Sequence, residues 1–142
     1  MRIMGLDVGD VRIGVALSDP MGMIGSPHRI IDRKKEKAIA EILKIVLEKG
    51  VDKVVYGIPI SLDGEKKRQV EKIEGFISTL KKEAKKKGKI EFIPYDERFT
   101  TSIAKQFMAM GGKKEKEYKK DLDSVAASIL LQNYLDFSRK NI

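Results

Sequence analysis

The chain contains no cysteine, no tryptophan and a single histidine, His28. Without thiols there is no disulfide, no thiolate nucleophile and no cysteine-based zinc site. A Ser-His-Asp triad would depend on His28 alone, and a multi-histidine metal centre is excluded. Any metal must be held by oxygen. Aromatic residues make up only 6% of the chain. Tyr56, Phe92 and Phe107 sit at core spacing, so no platform for base stacking is suggested, and nucleic acid would be read through backbone and shape. No apolar run approaches the roughly 18 residues of a membrane span, so no membrane partner is expected. The opening MRIMGLDVGD meets a carboxylate too early for a secretory signal.

The 142 residues suit one domain, 1–142, long enough to bury a real core. Hydrophobic residues at 42% and charged residues at 35% describe a folded chain. The net charge of +8 is carried by two stretches, 81–89 (KKEAKKKGK, net +5) and 113–120 (KKEKEYKK, net +3). Localised positive charge suits a polyanionic partner. The excess of Lys over Arg, 22 to 7, also fits a heat-adapted surface.

Residues 2–8 and 12–18 are short aliphatic runs around a Gly-Asp turn signal and predict a hairpin of buried strands. A weaker third strand covers 23–31. Helical spacing of Ile39, Ile42, Leu43 and Val46 predicts a helix over 36–49, stopped by Gly50. A strand over 53–58 ends at Pro59. Val70, Ile73, Ile77, Leu80 and Ala84 share one face of a helix over 65–87, and a strand follows at 90–95. Thr100 or Thr101 can cap a helix to Met110, with Ile103, Ala104 and Phe107 inward. A loop then carries Gly111, Gly112 and the second lysine run, and a last helix covers 122–138. This order predicts an α/β fold with a mixed five-stranded sheet and helices on both faces. In such sheets, sites lie beyond the carboxyl ends of the parallel strands.

Three carboxylates stand out. Asp7 interrupts an apolar strand, where an ionised group is costly unless paired or metal-bound. Glu97, with Asp96, follows the strand at 90–95. Asp123 opens the last helix above Ala126, Ala127 and Leu130, its apolar side, whereas Asp121 aligns with Ser124, Ser128 and Gln132, a polar stripe expected to face water. Three acids from three elements, without neighbouring His or Cys, suit one or two Mg²⁺ or Mn²⁺ ions. Two such ions can clamp a phosphodiester for hydrolysis, and the basic runs would hold its backbone. Arg68 near the Gly57–Gly64 loop has a fork that matches phosphate. Arg98 beside Glu97 can pair with it or clamp phosphate, and Arg12 can reach phosphate or solvent. His28 reads as a surface or satisfied histidine.

The stretches GLDVGDVRIGVALSD (5–19), VVYGIPISLDGEKKRQ (54–69), YDERFTT (95–101) and LDSVAASILLQNYL (122–135) together resemble the YqgF family. This is a bacterial group of RNase H-like proteins described as Holliday junction resolvases and as pre-16S rRNA nucleases. The resemblance spans nearly the whole chain. It implies a single RNase H-like nuclease domain, metal-binding and catalytic acids at Asp7, Glu97 and Asp123, and roles for Arg12, Arg68 and Arg98 near the substrate or in support of the acids. It also implies maturation of the 5′ end of 16S rRNA in the cytoplasm, as a monomer or homodimer. Phe99 stands where Leu is usual, and Ile60-Ser61-Leu62 departs from the pattern before Asp63 and Gly64.

Other readings have their own marks. A resolvase of four-way DNA junctions would keep the chemistry and act as a dimer. The actin-like ATPases also open with a strand and an Asp-x-Gly turn, but enclose their nucleotide between two such domains. A non-catalytic RNA-binding protein would be ill served by inward acids in its groove.

Overall fold

In the computed structural model, residues 2–59, 64–96 and 115–140 are described, with side chains in the last stretch described for 124–139. Five strands follow from the runs of Val, Ile and Leu: β1 (Arg2–Val8), β2 (Arg12–Ser18), β3 (Gly25–Asp32), β4 (Val51–Ile58) and β5 (Glu91–Asp96). They form one sheet in the order β3-β2-β1-β4-β5. β1, β2 and β3 run as an antiparallel meander, while β4 and β5 are parallel to β1 and to each other.

The two-residue alternation of the strands divides the core. Met4, Leu6 and Val8 of β1 and Ile13, Val15 and Leu17 of β2 face α1 (Ala38–Lys49) and α2 (Gly64–Lys85), which contribute Ile42, Ile45, Val46, Ile73, Ile77 and Leu80. Each such side chain stabilises the fold by roughly 1.5–3 kcal/mol when fully buried. The opposite face is covered by α3 (Glu115–Lys140), whose Ala127, Leu131 and Leu135 pack with Ala16 and Ile3. That face is lined by small residues, so α3 lies close. A Cβ at Gly5 would stand 2.9 Å from the Ala127 carbonyl oxygen and 2.9 Å from the Leu131 Cβ. The expected mixed sheet with helices on both faces is therefore what forms.

Boundaries shift by small amounts. Gly50 caps α1 in the left-handed conformation and donates to the Val46 oxygen, and β4 begins at once, at Val51. The helix expected over 100–110 lies outside the described residues. The loop expected across the second lysine run is corrected: α3 already begins at Glu115. Glu and Lys are strong helix formers, and Glu115 and Lys119 stand at the i,i+4 spacing that supports a helix, so the charge run extends the helix. Among the described residues, no helix is long and apolar enough to cross a membrane.

Candidate active site

The carboxyl ends of β1, β4 and β5 finish level. Leu6 pairs with Tyr56, Tyr56 with Pro94, and Ile58 with Asp96. Asp7 is the penultimate residue of β1, half-buried and registered opposite Gly14 of β2. Its neighbours Leu6 and Val8 take the α1 and α2 face, so Asp7 takes the α3 face, above a residue with no side chain. Arg12, by the same alternation on β2, shares that face and is half-buried.

The turn after Asp7 is fixed from two sides. The Gly9 N–H donates to the Arg12 oxygen at 3.0 Å, and a Cβ on Gly9 would stand 2.6 Å from that same oxygen, so only glycine fits. The Gly9 carbonyl accepts from Arg33 Nη1 at 2.7 Å, and the Arg33 guanidinium lies 4.9 Å over the Phe76 ring of α2. The Arg33 N–H also donates to the Val11 oxygen at 2.9 Å. Sequence reasoning missed Arg33. An arginine just past a strand has no local signature, because its partners are a distant carbonyl and an aromatic ring on another helix.

The direction of α3 completes the frame. Near its carboxyl end, Gln132 accepts from the Gly25 N–H at 2.9 Å and donates to the Met23 oxygen at 3.1 Å, beside the β2–β3 turn. Ala127 crosses Gly5 in the middle of β1. The helix therefore runs so that its amino-terminal half heads toward the carboxyl end of β1, and the Asp123 backbone stands one turn before Ala127. Ala126, Ala127 and Leu130 are buried, as expected for the side beneath Asp123. The polar stripe is a correction: Ser128 is buried and Gln132 binds the β2–β3 turn, so this stripe packs against protein and gives no reason to send Asp121 to water.

Asp7 and Arg12 are thus brought to one face. Arg68 stands exposed near the start of α2, on the opposite side of the sheet. Asp96 ends β5, where Ile93 and Tyr95 take the α3 face; Tyr95 meets Tyr134 edge-on at 5.9 Å. Burial first, and then Asp96 and Asp136, push the Tyr95 phenol up. Asp63, Glu97, Arg98, Phe99 and Phe107 lie outside the described residues, as do the side chains of Asp121 and Asp123. Among the described residues no three His, Cys, Asp or Glu gather to hold a metal. Asp7 offers the hard oxygen donor that Mg²⁺ or Mn²⁺ prefers, and His28 is exposed on the edge strand β3.

Residues 1–137 match the profile of the family RuvX, described as Holliday junction resolvase.

The chain belongs to the RuvX, or YqgF, family.

A Fusobacterium nucleatum protein named "Putative pre-16S rRNA nuclease" is 50% identical over 139 residues, covering 97% of this chain and 99% of its own. One of the same name from Chloroflexus aurantiacus is 41% identical over 140 residues, covering 98% of this chain and 89% of its own. RuvX membership places the chain among nucleases. The fold is similar to that of Thermus thermophilus RuvC, solved in complex with a Holliday junction substrate, with a TM-score of 0.58 at 15% identity over 99% of this chain and 96% of that one.

Proposed function

We propose that this RuvX protein is a divalent-metal-dependent phosphodiester hydrolase that trims the 5′ end of pre-16S rRNA in the cytoplasm. The observation that carries the reading is Asp7: a carboxylate set into an apolar strand, at the carboxyl rim of three level parallel strands, on the face that the start of α3 approaches. Asp7, Glu97 and Asp123 are the residues that would hold one or two Mg²⁺ or Mn²⁺ ions. Such ions, when bound, activate water and neutralise the charge that develops on the leaving oxygen.

The chain's own residues then have separate tasks. Asp7 supplies oxygen ligands from a rigid strand, and the Gly9 turn pinned by Arg33 keeps that strand end in place. Arg12 shares the Asp7 face and is assigned to a phosphate of the substrate or to support of the acids. Arg98, beside Glu97, is assigned to the substrate or to support of the acids, and Arg68, exposed across the sheet from Asp7, to substrate beyond the reacting phosphate. The rRNA substrate is supported by relatives carrying that name at 50% and 41% identity. Asp7→Asn, Glu97→Gln and Asp123→Asn should each abolish metal-dependent RNA cleavage while circular dichroism stays unchanged; a fully active member of this set would remove that residue from the site.

A second substrate is favoured by the family's description as a Holliday junction resolvase. Symmetric cutting of a four-way DNA junction calls for two copies. Solution mass with and without a junction separates the two: a junction-bound dimer supports resolution, and a monomer on RNA supports trimming.

A further inference from the structure

The fold places the 81–89 lysine run away from the candidate active site. It forms the end of α2 and the approach to β5, at the amino ends of the parallel strands, whereas Asp7 lies near their carboxyl ends. From Lys53 to Ile58 along β4 the separation is about 17 Å. At this far end lies a cleft of about 800 Å³. It is lined by Lys81 and Lys85 of α2, by Lys89 and Lys53, and by Asp52 and Glu91, with apolar surface from Ile90 and Phe92.

The lysines are only partly explained by the helix. Cations near a helix carboxyl end are stabilised by its dipole, which accounts for Lys82 and Lys85. It does not account for Lys53 on β4 or Lys89 beyond the helix. Among the described residues, no carboxylate forms an ion pair with Lys53, Lys85 or Lys89, while Lys86 pairs with Glu83 at 3.4 Å. The Lys81 ammonium stands 5.9 Å over the half-buried Phe92 ring.

We propose that this cleft is a second nucleic-acid contact, holding a single-stranded segment with its phosphates on the lysines and a base against the Ile90 and Phe92 surface. Lys82 and Lys87 of the same run are exposed and bring the local charge beyond what one mononucleotide needs. An acidic peptide would use the lysines but leave the apolar surface uncovered. The inference rests on nucleic acid being the partner and is independent of the chemistry at Asp7. A substrate shorter than the separation between the two sites would occupy only one of them.

The test is fluorescence anisotropy of a labelled 20-nucleotide single-stranded RNA in EDTA, so that cleavage plays no part. The full chain is compared with a Lys81→Gln, Lys85→Gln, Lys89→Gln variant and with a Lys37→Gln, Lys44→Gln, Lys49→Gln control at the start of α1 and along it. Loss of three phosphate contacts should weaken binding at least roughly tenfold at low salt and flatten the log–log salt slope by about 2. The control should change far less, and all three proteins should melt alike. An unchanged cleft variant, or equal losses in both variants, overturns the inference while leaving the nuclease reading intact. Wild type that binds neither RNA nor a DNA junction overturns the nucleic-acid reading itself. Competition by AMP or polyglutamate as effective as that by unlabelled RNA would reassign the cleft and overturn the strand.

Discussion

Replacing Gly5 with alanine is the sharpest perturbation the packing offers. The new Cβ would lie 2.9 Å from a helix carbonyl oxygen and 2.9 Å from the Leu131 Cβ. Neither obstacle sits at the far end of a flexible side chain, so no rotamer change relieves the clash. Carbon atoms pack at about 3.5–4.0 Å, so α3 must back away from β1 by roughly 0.6–1 Å. Overpacking of this kind costs about 1–3 kcal/mol. For a chain of this size, that lowers Tm by roughly 3–12 °C. The functional effect follows from the same shift. In the proposed site Asp123, whose backbone stands one turn before Ala127, acts with Asp7, so moving the helix alters their spacing, and a misplacement near 1 Å costs on the order of 100-fold in rate. Thermal unfolding and single-turnover RNA cleavage would measure both, with RNA affinity in EDTA expected to hold. Wild-type stability would refute the contact argument, and lost stability with full activity would refute the link from α3 to the site.

Three further outcomes follow from other contacts. Gly75 lies exposed in α2 with nothing within 4 Å of an added Cβ, so Gly75→Ala should stabilise by up to about 1 kcal/mol in urea unfolding. Arg33→Met removes the donor to the Gly9 carbonyl and the cation over Phe76, and should cost roughly 1.5–3 kcal/mol in the same assay while slowing cleavage through a looser Asp7 strand end. Burial first, then the Glu74 carboxylate at 3.2 Å, push the Tyr56 phenol up to about 12. Folded and unfolded chains both keep this proton below pH 10, so its share of stability is intact there. Between pH 10 and about 12 the unfolded chain alone releases it, and stability falls by about 1.4 kcal/mol per pH unit. Absorbance titration should show a late-ionising tyrosine that Tyr56→Phe removes, together with that part of the pH slope.

The sheet and its three described helices were legible because their signals are local: period-two aliphatic runs in β1 and β2, the spacing of Ile73, Ile77 and Leu80, and Gly50 as a stop. The start of α3 was not, since a lysine-rich stretch behind two glycines reads as a loop although Glu and Lys favour helix. The stripe through Ser128 and Gln132 misled for a different reason. Polarity predicts water only when no backbone donor or acceptor is at hand: the β2–β3 turn supplies both to Gln132, and Ser128 donates to the Val125 carbonyl of its own helix. For the site, Asp7 was legible as a carboxylate out of place in an apolar strand. Arg33 was not, because its role depends on Gly9 and Phe76, far apart in sequence. The lysine run at 81–89 was legible as charge, but its position opposite the rim depends on topology, which moves it from the expected substrate groove to a cleft of its own.

The most direct test of the central claim is cleavage of end-labelled RNA carrying the 5′ precursor of 16S rRNA, beside a synthetic four-way DNA junction, with Mg²⁺, Mn²⁺ or EDTA. Wild type and Asp7→Asn are compared with folds matched by circular dichroism. The account predicts metal-dependent cutting of the RNA by wild type and none by Asp7→Asn. Cutting that survives EDTA or the Asp7→Asn change would contradict the assignment of Asp7, and paired cuts in the junction alone would contradict the assignment of rRNA as substrate.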